Sequence, residues 1–265
     1  MKNFKTLLLL VFFVTTSFTN LFSQSYSVPE ILYYKFNTGT TTTPNLAVPG
    51  QGFTDAQLVN MSMGTGGQFG DALLGNGGTG TTTHVNSGWN MNLGTSSWTI
   101  SLWISNITTG TVYLFGNDIT TSFRCFTNGA AGTNNITLRG NGMANVNVTG
   151  VLPGPSVVHF VYDSVTAAIS CYLNGVFQSS VPQTPLNLNA VVPFKVGSYG
   201  TASSIPVGSL LDEFRFYSRA LSPAEITATW NVELPVGGSL VNPAKICDYG
   251  LIPQYTGGAL GGHAS

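Results

Sequence analysis

Charge is scarce in this chain. Asp, Glu, Lys and Arg together make only 7 % of 265 residues, while hydrophobic residues reach 43 %. Disordered segments show the opposite balance, so disorder is excluded for the bulk of the sequence. The formal net charge is −1. With Lys2 and Lys5 set aside as part of a leader, seven basic residues face ten acidic ones, which leaves about −3. Such a balance attracts neither nucleic acid nor an anionic membrane. Histidine is limited to His84, His159 and His263, and their spacing matches no metal-ligand pattern. Glutamate is limited to Glu30, Glu213, Glu225 and Glu233, which are scattered along the chain. No Gly-x-Ser-x-Gly elbow offers a serine nucleophile. Cysteine numbers three: Cys125 and Cys171 in strand-like stretches, and Cys247 near the end. Cys171 alternates with Ile169 and Leu173, which points it at a core. A buried free thiol is the favoured reading and a Cys125–Cys171 bridge the other. Cys247 is then the odd thiol, free or intermolecular.

The longest apolar run, Leu7 to Val14, is too short to span a bilayer. Lys2 and Lys5 precede it, and Leu21 and Ser23 fit a cleavage site, so Met1–Ser23 reads as a secretory signal with Gln24 as the new N-terminus. No Cys follows that site, which argues against a lipid anchor. The chain is therefore expected to be secreted, extracellular or at a cell surface. Residues 24–231 are one domain, long enough for a sizeable core. Residues 232–265 are rich in Gly and Pro and read as a tail or linker.

What the body does have is strand after strand with turn signals between. Ile31–Phe36, Gly64–Leu74, Thr81–Val85, Thr111–Phe115, Ser122–Phe126, Asn135–Leu138, Val157–Asp163, Ala168–Gly175 and Pro193–Ser198 read as strands, and Thr40–Gly52 as a loop. Trp98–Ser105 alternates strictly: Trp98, Ile100, Leu102 and Ile104 on one face, Thr99, Ser101, Trp103 and Ser105 on the other. Asn174-Gly175 is a hairpin turn of the primed type. Leu210–Tyr217 is another strand. Its alternation places Asp212, Phe214 and Phe216 inward. A short helix follows, with Ser222 as N-cap, Pro223 first, Glu225 closing a capping box, and Leu221 and Ile226 as a staple.

The stretch Gly208, Leu211-Asp212-Glu213-Phe214-Arg215-Phe216-Tyr217, Arg219-Ala220-Leu221-Ser222 and Glu225-Ile226 resembles the LamG-like jelly-roll family of the concanavalin A-like lectin/glucanase superfamily. Gly-Gln-Phe-Gly-Asp-Ala-Leu-Leu-Gly-Asn-Gly from Gly67, Trp98–Trp103, Val157–Asp163 and Ala168–Gly175 carry the same resemblance, which covers roughly Glu30 to Asn231. It implies an all-β antiparallel sandwich of jelly-roll type, with one helical turn near the C-terminal end and termini close together. Asp163-Ser164-Val165 resembles a short O-glycosylation acceptor motif of Bacteroidetes, three residues of little weight.

The related retaining glucanases carry Glu-x-Asp-x-x-Glu on one strand, and this chain lacks it. Asp212 and Glu213 are strand neighbours and so are expected to face opposite ways. A glycoside hydrolase is disfavoured, and no catalytic residue is assigned. Two readings remain open. One is an exported carbohydrate-binding or adhesion module, whose partner is a glycan or cell-surface polysaccharide. The other is a structural or interaction subunit of a surface or filament assembly, with a protein partner or self-association through the tail. Sugar binding needs flat apolar rings beside short polar groups. Trp103, off the core face, and Trp89, in a loop, are the candidate rings; packing under a loop and loop anchoring are the alternatives. The resemblance also implies one structural Ca2+, for which Asp212, Asn37 and Asn45 are candidate ligands. Hydrogen bonds from loop amides are the other reading of Asp212.

Overall fold

Alternation is kept where it was clearest. Trp98 to Ser105 forms a strand with every residue buried, because its apolar side faces the core while its other side is covered as well. In the computed structural model, which describes residues 28–107, 110–118, 122–127, 134–235, 239–241 and 254–256, the strands are as follows. They are β1 (Leu32–Tyr34), β2 (Thr42–Pro44), β3 (Asp55–Val59), β4 (Ser62–Thr65), β5 (Asp71–Leu74), β6 (His84–Asn86), β7 (Trp98–Ser105), β8 (Tyr113–Asn117) and β9 (Phe123–Thr127). Then come β10 (Ile136–Arg139), β11 (Val146–Val148), β12 (Ser156–Asp163), β13 (Ala168–Leu173), β14 (Val176–Pro182), β15 (Lys195–Val196) and β16 (Leu210–Tyr217). The helix α1 (Pro223–Thr229) follows, and then β17 (Ser239–Val241) and β18 (Gln254–Thr256), which pair with each other. The leader, Cys247 and His263 lie outside the described residues.

Two antiparallel sheets make the sandwich. The first runs β14-β13-β12-β7-β16-β5-β4, with β1 also paired to β16; the second runs β11-β10-β9-β8-β15-β6-β3-β2. Aromatic rings from both sheets meet between them. Trp98 of the first sheet lies edge-on to Phe123 of the second at 5.5 Å, and Phe214 edge-on to Phe115 at 5.6 Å. Buried rings of this kind dominate core energetics. Cys125 and Cys171 are both free and buried, and burial pushes both thiols up. Strands β2, β3, β11, β14, β17 and β18 fall where no strand was expected.

Strand β16 departs from its expected alternation. Asp212 pairs with Trp103, but Arg215, three residues on, pairs with Ser101, so one extra residue bulges between them. Glu213 sits there with φ +49°, a left-handed conformation unusual for a residue with a side chain. The bulge turns Asp212 over. Leu211, Phe214 and Phe216 join the core, while Asp212 shares the outward face with Trp103. The inward placement expected for Asp212 is thereby corrected.

The outer face of the first sheet is covered. The capping box forms as its residues require: the Ser222 hydroxyl accepts from Glu225 N–H and the Glu225 carboxylate accepts from Ser222 N–H. Leu221 and Ile226 then pack on Val161, Tyr172 and Tyr217. The chain continues as a strap through Leu234, which is fully buried with Tyr33 and Ala47. Residues 232–234 thus pack on the domain instead of starting the tail. Val28 packs on the same cluster, so the two ends of the domain meet. At the β13–β14 turn, Asn174 and Gly175 both have positive φ, and a Cβ on Gly175 would lie 2.3 Å from the Trp230 ring. Only glycine lets the strap approach there.

Candidate functional site

The ring candidates are inside. Trp89 is 6 % exposed, edge-on to Phe216 at 5.1 Å and 5.9 Å from Phe194. Its N–H donates to the Ser87 hydroxyl at 3.1 Å. It anchors its loop to the core. Trp103 does stand off the core, opposite Val157 and Asp212, yet it is only 8 % exposed. The expectation of an exposed or groove-facing ring is corrected at both positions.

The calcium candidates are hydrogen-bonded to backbone. Asp212 is fully buried; its Oδ2 accepts from Gln68 N–H at 2.8 Å and Phe69 N–H at 3.2 Å, and its Oδ1 from Glu213 N–H at 2.7 Å. Burial, then the Glu213 charge, lift this carboxyl to about 7 against those three donors. Asn37 holds the same turn, accepting from Asp71 N–H at 2.8 Å and donating to Phe69 O at 2.9 Å. Asn45 works elsewhere: its Oδ1 accepts from Tyr33 and Ala47 N–H, and its amide donates to Ile31 and Gln51 carbonyls. A cation needs oxygen lone pairs, and here those lone pairs face N–H groups. The three residues do not fit a calcium ion as placed. Among the described residues no cluster of three or more His, Cys, Asp or Glu side chains could hold a metal.

The outer face of the second sheet is different. Its register runs Gln57, Asn86, Lys195, Gly116, Arg124, Arg139 across six adjacent strands. Directly opposed residues share a face, so these form one cross-sheet row. Beside it runs a second row of Tyr113, Phe126, Thr137 and Asn147. Tyr199, just beyond β15, lays its ring across Gly116: a Cβ there would be 2.6 Å from the Tyr199 ring. The ring stacks on Tyr113 with centroids 5.4 Å apart and planes 22° apart. Phe126 lies 5.4 Å from Tyr113 on the other side. The Arg124 guanidinium sits over the Tyr199 ring at 5.3 Å. Both tyrosines are half-buried. Beside them the Thr137 hydroxyl, itself fully buried, donates to Oδ1 of the half-buried Asn147 at 2.7 Å, and the Lys195 ammonium donates to Gly80 O at 2.6 Å. Burial lowers the Lys195 ammonium, and Asp118 nearby opposes that. This is a platform of two half-buried tyrosine rings backed by Phe126, with Asn147, Arg124 and Lys195 beside it. None of its residues was singled out in the sequence as a ligand contact. The one available signal was alternation in Ser122–Phe126, which turns Arg124 and Phe126 away from Cys125.

The family model of the concanavalin A-like lectin/glucanases superfamily matches residues 76–227. The chain belongs to that superfamily. Solved structures of similar fold include domain 4 of an extracellular arabinanase from Geobacillus stearothermophilus, determined with arabinotriose. It is 18 % identical, with a TM-score of 0.54, over 77 % of this chain and 99 % of that one. A structure of botulinum neurotoxin type C, whose cell entry depends on two ganglioside molecules, is 13 % identical with a TM-score of 0.55 over 79 % of this chain. The binding domain of botulinum neurotoxin DC, determined with SialylT, is 14 % identical with a TM-score of 0.55 over 78 %. The match spans 52 % of each toxin chain. No curated protein matches the sequence. In this superfamily a shared fold leaves the function to be argued from the site.

Proposed function

We propose that the protein is an exported, non-catalytic carbohydrate-binding module whose ligand lies along the outer face of the second sheet. The observation that carries this reading is the Tyr199–Tyr113 stack, half-exposed on a sheet face with the half-buried Arg124 and Asn147 beside it. The opposite outer face is occupied by α1 and the strap, whereas on the second sheet Arg139 is exposed and Tyr113, Tyr199, Arg124 and Asn147 are half-buried. The sugar's C–H side would lie on the rings and its hydroxyls on the Asn147 amide and the Arg124 guanidinium. Support also comes from the arabinanase domain that was determined with arabinotriose and the toxin binding domain determined with SialylT. The test is a glycan array on residues 24–234, followed by titration of the best ligand against Tyr199→Ala. A ring at the centre of a binding surface contributes about 2 kcal/mol, so affinity should fall by roughly 30-fold. The melting temperature should move little, because the ring lies on the face and not between the sheets. Unchanged affinity in that variant would refute the platform.

A further inference from the structure

The outer face of the second sheet also carries an unusual arrangement of charge. Six cations fall on described residues. Three of them are ion-paired at the first sheet and its covering: Lys35 with Glu233, Arg215 with Glu213, and Arg219 with Glu30 and Glu225. The other three, Lys195, Arg124 and Arg139, form no ion pair among the described residues, and all three stand in the single row that crosses β15, β8, β9 and β10. Arg124 and Arg139 are direct cross-strand partners. Like charges placed opposite each other on a sheet face destabilise it. Arg124 is held in place by the Tyr199 ring and by the Ser122 carbonyl, which its Nη1 reaches at 2.6 Å. Arg139 is exposed, and its side chain makes no hydrogen bond or ion pair with another described residue. Among the described residues the acidic groups near this row are Asp118, beside Lys195, and Asp55, at the far end of the sheet on β3.

We infer that this face selects acidic glycans, with an anionic substituent of the sugar, carboxylate or sulfate, seated between Arg124 and Arg139 while the ring rests on Tyr199. The inference rests on the carbohydrate-binding reading and names its substrate class. An anion between the two guanidiniums removes the cost of their opposition and gains charge-assisted, bidentate hydrogen bonds. Arg124 then serves both parts of the ligand: one face against Tyr199 and its N–H edge toward the anion. In a chain with so little charge, two opposed arginines that form no ion pair among the described residues suit a ligand that brings the negative charge.

The test uses matched pairs of probes: oligogalacturonate against its methyl ester, and a sulfated galactan against its desulfated form. The parent should bind at least one acidic member about tenfold or more tighter than its neutral counterpart, and the preference should shrink as salt rises. Which pair shows it separates carboxylate from sulfate. Arg139→Gln should abolish the preference while neutral binding stays, and at low salt it should leave the melting temperature equal or higher, since a repulsion is removed. Tyr199→Ala should weaken both members of a pair together. Equal binding of acidic and neutral members by the parent overturns the acidic selection alone and leaves sugar binding standing. So does a preference that survives Arg139→Gln. Failure of the parent to bind any of the probes or any glycan on the array overturns both.

Discussion

Arg215 offers the sharpest test of how the strap is held. Its guanidinium is 2 % exposed. Nε and Nη2 donate to Glu213 Oε2 at 3.1 and 2.6 Å, Nη1 to Thr229 O at 3.1 Å, and Nη2 to Val232 O at 2.9 Å. Tyr33 Oη donates to the same Glu213 oxygen at 2.9 Å, and the guanidinium lies 5.6 Å from the Tyr33 ring. Arg215→Met keeps most of the apolar stem, so the cavity contribution is small. It strands a buried carboxylate and two carbonyls. Removing one partner of a buried ion pair costs about 3–5 kcal/mol, chiefly because the other charge stays buried. Against a typical total of about 5–15 kcal/mol that is a large fraction. For a domain near 200 residues it lowers the melting temperature by roughly 6–20 °C. Urea unfolding at neutral pH measures the loss directly.

Glu213→Gln in the same background separates charge from packing. With the stranded carboxylate neutralised, Arg215→Met/Glu213→Gln should be more stable than Arg215→Met alone, so the two changes are non-additive. A loss below about 1 kcal/mol in Arg215→Met would refute the reasoning. It would mean that the strap is held by Leu221, Ile226 and Leu234, with the polar network adding nothing.

Other outcomes follow from buried groups off the core. Trp103→Ala should cost about 3–5 kcal/mol in urea unfolding, the range for a buried large aromatic, and should leave glycan affinity unchanged because the ring is on the other sheet; a stable variant that lost binding would reverse the assignment. His159 is 1 % exposed with no hydrogen-bond partner for Nδ1, and burial, then the Arg215 charge, push its imidazole down to about 3. The unfolded chain therefore takes up the proton first, and stability present above pH 6.5 is lost as pH falls toward 3. Relative to the parent, His159→Gln should gain about 1.4 kcal/mol per pH unit between pH 6.5 and 4; a pH-independent difference would rule the histidine out.

How much of this was legible depended on whether the cause was local. The capping box at Ser222 and Glu225 and the Asn174-Gly175 turn are written within four residues, and both form as read. The period-2 pattern of Trp98–Ser105 placed Trp103 on the right face. Alternation tells which side a ring leaves by and not what covers that side, so its burial was out of reach. Asp212 was misplaced because its strand bulges at Glu213, a non-glycine residue in a left-handed conformation, and no residue type announces such a bulge. Its role as acceptor for loop amides was among the readings of the residue itself, since a carboxylate at a strand end commonly finds backbone N–H.

The platform was hidden for a related reason. Tyr113, Phe126 and Tyr199 lie on two short strands and a loop, and they become neighbours only through the pairing of β8 with β9 and with β15. Each strand shows only two outward residues, too few for a periodic signal. What makes them one surface is Gly116, whose missing side chain leaves room for the Tyr199 ring to approach the sheet. The same row sets Arg124 beside that ring and Arg139 opposite Arg124. Ring and charges are therefore positioned by one register. A slip of one residue in β9 would turn Arg124 inward and dismantle the ring contact and the arginine pair together.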